Sequence, residues 1–258
     1  MCLVTFMKDV HPDYPLIFIT NRDELYDRAA APIHRWVDYP EVTAGVDLKA
    51  YGTWLGYAKN GKFIAVLNHP FEKWAPSLEE PRSRGKLLRD YLTTDISITE
   101  FEHILRETRT EYNGYHLIFG TFDDLRYYSN INNVFQNFKT GTHTISNTTD
   151  DLSKHRKEYS CALLKNYVDK HKNDLKLDEL VQLMQNKEPS EDLEDFPPEL
   201  SMDIAKEASA IFIKSEEFGT VGTTAILLDK EGRIQVKEVK YSPEKITEIT
   251  TLEQQLDS

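Results

Sequence analysis

Cysteine is almost absent from this chain, with two residues in 258, Cys2 and Cys161. Two thiols cannot build a disulfide framework, so cysteine usage gives no pointer to secretion. Long apolar runs are lacking too. The longest near the start, Tyr14 to Thr20, is broken by Pro15, and Lys8 and Asp9 already stand among the first ten residues. No secretory signal or spanning helix is read there, and a cytoplasmic protein without stable membrane insertion is expected. Runs of lysine and arginine are missing, and the formal net charge is −12. Such a chain repels phosphate backbones, so nucleic acid is not expected as a partner. No Walker A or dinucleotide fingerprint occurs, and there is neither His-Glu-x-x-His nor Cys-x-x-Cys. No cofactor and no metal site is therefore expected.

What is present is a globular composition. Apolar residues make up 40% and charged residues 29%, which supports a packed core. Thirteen Tyr and twelve Phe make that core, or a pocket, rich in aromatics. The length suits one domain spanning 1–258.

Local patterns predict strands first. Leu3 to Met7 and Leu16 to Thr20 read as a hairpin around His11-Pro12-Asp13, and Asn60-Gly61 turns a second hairpin between Thr53–Ala58 and Lys62–Leu67. Two helices follow. Ser83 to Leu92 puts Leu87, Leu88, Tyr91 and Leu92 on one face; the next starts at a Ser97/Glu100 capping box and should end near Asn113-Gly114. Strands return at Tyr115–Thr121, Leu125–Ser129 and Thr142–Asn147, then helices at about 152–171 and 177–186. Glu188 to Glu199 reads as an acidic loop. The last strands are expected at Ala210–Lys214, Thr223–Leu228 and Gln235–Lys240, and residues 249–258 should fray. This blockwise order argues against a regular βαβ array and for an α+β fold of two mostly antiparallel sheets.

Chemistry concentrates at the chain start. Aminopeptidases generally remove Met1 when residue two is as small as Cys2. The exposed α-amine, with an ordinary pKa of about 8, could then take the proton of its own thiol. Asn21-Arg22-Asp23-Glu24 follows the second strand as a polar stretch, where a carboxylate could hold that amine and Arg22 could bind an anionic group. Read without a nucleophile, Cys2 is a small strand-start residue and the stretch a salt-bridged turn. Trp54 and Trp74 are pocket-lining or packing residues, His69 lies next to Asn68, and Cys161 reads as a buried helix thiol.

The order Met1-Cys2 then Asn21-Arg22-Asp23-Glu24 resembles the NRDE family, also called the transport and Golgi organisation protein 2 family. Arg28, Gly52-Thr53-Trp54-Leu55-Gly56, Asn68, Ser83-Arg84-Gly85, Asn113-Gly114, Ser146-Asn147 and Gly219-Thr220 continue the resemblance to about residue 240. Departures are Val221 where the family has Arg, His116 where it often has Asn, and Asp151-Leu152-Ser153-Lys154 in place of a Pro-Trp stretch. The resemblance implies a four-layer αββα sandwich of the N-terminal-nucleophile hydrolase type. By it Cys2 is nucleophile, Asp23 holds the amine, Asn68 and Asn147 are oxyanion donors, and Asn21, Arg22 and Trp54 meet the substrate. An N-terminal-cysteine amidohydrolase acting on a small amide or acylated amine is one expectation. A carrier or chaperone of heme or a lipid or acyl-CoA ligand on the same scaffold is another, and an interaction protein with an unused site a third.

Overall fold

The computed structural model describes residues 2–69, 79–172 and 174–257; Trp74 lies outside them. In chain order the strands are β1 (Leu3–Lys8), β2 (Leu16–Leu25), β3 (Ala30–Arg35), β4 (Val42–Asp47), β5 (Leu55–Ala58) and β6 (Lys62–Asn68). Helices α1 (Arg84–Thr93) and α2 (Ile98–Glu107) follow, then β7 (Tyr115–Thr121), β8 (Leu125–Ser129), β9 (Val134–Asn137) and β10 (Gly141–Ser146). Helices α3 (Asp151–Lys170), α4 (Leu177–Leu183) and α5 (Met202–Ser209) lead into β11 (Phe218–Leu228), β12 (Arg233–Tyr241) and β13 (Ile246–Gln255). None of the described helices is long and apolar enough to cross a membrane. The chain falls into two compact units, Met1–Asp27 with Lys139–Gln255 and Arg28–Phe138 with Leu256–Ser258.

The first unit is a six-stranded antiparallel sheet in the order β10-β1-β2-β11-β12-β13. Its central strands are apolar at every position of Leu3–Met7 and Leu16–Ile19 except Thr5, because residues on both faces are buried. Leu3, Met7, Ile17 and Ile19 join Leu164, Val168, Leu180 and Val181 of α3 and α4 in one cluster. On the other face Phe6 and Phe18 sit opposite each other in register, with ring centroids 5.8 Å apart. Helix α3 is started by Asp150, whose side chain accepts from the Ser153 backbone N–H.

The second unit is a seven-stranded antiparallel meander, β3 through β9 in sequence order. Helices α1 and α2 cover one face through Leu87, Leu88, Tyr91, Leu92, Phe101 and Leu105. The Ser97/Glu100 capping box forms as read. Arg28 donates from Nε to Asp47 Oδ2 at 2.7 Å, while Asp47 Oδ1 accepts from the backbone N–H groups of Lys49 and Ala50. Gly52 lies against the start of α1, where an added Cβ would stand 2.2 Å from the Gly85 carbonyl carbon. A backbone neighbour cannot rotate away. Gly52→Ala is therefore expected to lower the unfolding free energy in urea by about 2–3 kcal/mol, and a loss under ~0.5 would show that the two segments separate freely.

Several elements differ from the sequence reading. The Asn21–Glu24 stretch is not a turn after β2 but part of it, because β11 extends to pair with it from Leu25↔Phe218 inward. Gly219-Thr220 accordingly lies within β11. Residues 249–255, expected to fray, belong to β13, whose ladder with β12 runs from Tyr241↔Ile246 to Arg233↔Gln255. Ala210–Lys214 is not a strand. It makes one bridge, Lys214↔Gly219, and the Ile211 carbonyl is taken instead by side chains. Helix α5, capped by Ser201, stands just before it. Helix α2 ends at Glu107, and a short 3₁₀ turn, Arg109–Glu111, fills the distance to Asn113.

Candidate functional site

The register of the first sheet gathers the motif residues. Leu3 at the head of β1 faces Ser146 of β10 on one side and Asn21 of β2 on the other. Cys2, one residue earlier and half-buried, is thus carried to the end of β10. Its backbone nitrogen donates to Asn147 Oδ1, and its carbonyl accepts from Ser146 Oγ at 3.3 Å. Asn147 is fully buried.

The thiol of Cys2 is held in its neutral form. Burial pushes its pKa up and the Asp23 carboxylate adds to the rise. A hydrogen bond from the Asp23 backbone N–H to the sulfur and nearby positive charge, Arg22 included, pull the other way without overcoming burial. A half-buried thiol of this kind needs a local base before it can act as a nucleophile.

Asp23 was expected to hold the Cys2 nitrogen. Within the fold its Oδ2 accepts from an Arg156 guanidinium nitrogen at 2.6 Å and its Oδ1 from the Thr220 hydroxyl at 2.7 Å. Both the Asp23 and Arg156 side chains are 0% exposed, a buried ion pair. The same Arg156 nitrogen also donates to the Ile211 carbonyl at 3.0 Å, whereas its Nε and other terminal nitrogen have no hydrogen-bond partner among the described residues. Val221 sits at the bulge of β11, where the register shifts between Thr220 opposite Asp23 and Gly222 opposite Arg22. The guanidinium on Asp23 thus comes from α3 and not from position 221.

Asn21, expected to touch substrate, is engaged within the fold. Its amide donates to the Met184 and Ile211 carbonyls at 2.8 and 2.9 Å, and its Oδ1 accepts from the Thr223 hydroxyl at 2.6 Å. It ties β2 to the segments after α4 and α5. Arg22 is half-buried on the same strand.

Asn68 and Trp54 belong to the second unit. Asn68 ends β6 opposite Tyr115. Beside it the buried His69 has its ring 5.6 Å from that of His116, and Tyr127 hydrogen-bonds His116 Nδ1 at 2.8 Å. The Trp54 indole lies over Gly45, where a Cβ would come within 2.3 Å of it, so its ring has a packing role. Cys161, read as buried, is half-buried on α3. Among the described residues no three His, Cys, Asp or Glu side chains converge as metal ligands would.

The residue that sequence reading missed is Arg156. A signal existed: Leu152, Arg156, Ser160 and Leu164 recur every fourth position on the buried stripe of α3. An arginine on such a stripe requires a buried acidic partner.

Comparison with known proteins shows the family and the fold. A family profile described as Transport and Golgi organisation 2 matches residues 1–243. The transport and Golgi organization 2 homolog of Mus musculus is 28% identical over 260 residues, covering 92% of each chain. The protein of the same name from Drosophila melanogaster is 24% identical over 264 residues, covering 92% of this chain and 91% of that one. Among solved structures, the C2A mutant of conjugated bile acid hydrolase from Clostridium perfringens superposes with a TM-score of 0.52 at 11% identity, over 100% of this chain and 99% of that one. A Caenorhabditis elegans ortholog of N-acylethanolamine-hydrolyzing acid amidase gives 0.51 at 10% identity, over 88% and 92%. At such identities the likeness shows the fold alone, which is that of the N-terminal-nucleophile hydrolases.

Proposed function

Because this chain belongs to the Transport and Golgi organisation 2 family and has an N-terminal-nucleophile-hydrolase-like fold, we propose that it is an N-terminal-cysteine amidohydrolase acting on a small acylated amine. The observation that carries the reading is the pair of hydrogen bonds on Cys2, its nitrogen to Asn147 Oδ1 and its carbonyl from Ser146 Oγ. Two atoms of one residue are fixed, so a base and a nucleophile can be held together. The two similar structures are of proteins named for hydrolysing a conjugated bile acid and an N-acylethanolamine. Those names support an acylated amine as the substrate class.

In this reading, removal of Met1 turns the Cys2 nitrogen into an α-amine. The neutral amine takes the thiol proton, and the thiolate adds to the amide carbonyl carbon. The C–N bond then breaks, the α-ammonium returns the proton to the leaving amine, and a thioester remains on Cys2. Water, deprotonated by the same amine, releases the acid and restores the thiol. Asn147 orients the amine. Asp23, locked by Arg156 and Thr220, fixes the strand whose N–H meets the sulfur.

Alkylation kinetics test this chemistry. In a Cys161→Ser background, iodoacetamide should react at pH 7.5 at least about tenfold faster with protein that starts at Cys2 than with protein that keeps Met1. The rate for the processed form should rise through about pH 8, where the amine loses its proton. Equal rates for the two forms would remove the amine from the mechanism.

A further inference from the structure

The first unit carries a concavity whose lining does not include Cys2, with a volume of roughly 260 Å³. Phe212, Tyr241 and Ile246 form its apolar walls, and Lys187, Lys214 and Lys245 stand around it. The two aromatic rings meet edge to face, with centroids 4.9 Å apart and planes at 83°. Lys187 Nζ lies 5.4 Å from the Phe212 ring centre.

Charge makes this place unusual. The chain has 43 acidic against 31 basic residues. Some lysines elsewhere are paired with carboxylates, as Lys230 is with Asp13, Lys176 with Asp174 and Lys240 with Glu248. None of the three pocket lysines forms an ion pair among the described residues, and they face a single carboxylate in the lining, Glu244. Three cations gathered around an aromatic corner repel one another unless an anion joins them.

The walls are also built in advance. The Tyr241 hydroxyl accepts from the Gln185 amide at 3.0 Å and hydrogen-bonds the Thr223 hydroxyl. That hydroxyl donates to Asn21 Oδ1, and the Phe212 backbone N–H donates to the Asn186 carbonyl at 2.7 Å. The aromatic corner is thus fixed by the clamp that holds β2, and a ligand would not have to order it.

We propose that this pocket binds a small organic anion carrying a planar ring, the ring against Phe212 and Tyr241 and the charged group among Lys187, Lys214 and Lys245. The full chain is titrated with 8-anilino-1-naphthalenesulfonate, an aromatic sulfonate, and fluorescence is followed. One saturable site is expected. Its affinity should fall at least about tenfold in Lys187→Gln/Lys214→Gln/Lys245→Gln, and fall as salt rises, because the contacts are solvent-exposed charges. These lysines are exposed, so the melting temperature should not move. If it does, the three single substitutions are measured instead, each weakening binding. The absence of saturable binding, or the same affinity with the lysines removed, would overturn the proposal. The second result would assign the probe to a bare apolar surface.

Discussion

Arg156→Met is expected to lower the unfolding free energy by about 3–5 kcal/mol, measured by urea denaturation, because it strands a charge. Asp23 and Arg156 are both 0% exposed, and the guanidinium is the cation on that carboxylate. Removing it takes from a buried carboxylate the charged donor on Oδ2, while Oδ1 keeps the Thr220 hydroxyl. Arg156→Lys should recover part of the loss, since a single guanidinium nitrogen makes the bonds to Asp23 Oδ2 and the Ile211 carbonyl and an ammonium can replace it, but a shorter, non-planar side chain does not reproduce its placement. Combining Asp23→Asn with Arg156→Met should be far less costly than the sum of the two changes, because the partners act as one unit. A loss under ~1 kcal/mol for Arg156→Met, or strict additivity, would mean that the pair contributes nothing beyond its volume.

Cys2→Ala should bring turnover of any acylated-amine substrate down to the uncatalysed background, with the melting temperature nearly unchanged. The sulfur lies at the edge of β1 and the neighbouring apolar residues carry the packing, so the change removes chemistry and little structure. Cys2→Ser should lose several orders of magnitude as well, because a hydroxyl is far harder to deprotonate than a thiol. The readout is kcat on a panel of acylated amines with processed protein. Turnover that survives Cys2→Ala would end the nucleophile assignment, and no turnover by the unsubstituted processed protein would favour the carrier reading of the same scaffold.

Which parts of the molecule were legible follows from how local their causes are. The β1–β2 and β5–β6 hairpins are written in turn residues and apolar runs beside them, and α2 is announced by Ser97 and Glu100 three residues apart. The extension of β2 through Asn21–Leu25 depends on a partner about two hundred residues away in β11, so its polar sequence reads as a turn. Strand β13 is rich in Thr, Glu and Gln at the sheet edge, a composition shared by frayed tails. At the site, motif order named Cys2, Asn21, Asp23, Asn68 and Asn147; Cys2, Asn21, Asp23 and Asn147 belong to the first unit and Asn68 to the second. Motif order could not say which atoms meet. The Cys2 nitrogen is bonded by Asn147, Asp23 is tied to Arg156, and Asn21 is spent on the fold. Those assignments depend on α3 and on the segment around Ile211, whose positions no short pattern encodes.

The central claim is that Cys2 becomes the first residue and acts through its own amine. The intact mass of the protein purified from its native host, with and without brief iodoacetamide treatment, tests it most directly. The account requires a mass lacking Met1 and one rapidly added label that maps to Cys2. A mass that retains Met1, with no label faster at Cys2 than at Cys161, would contradict it.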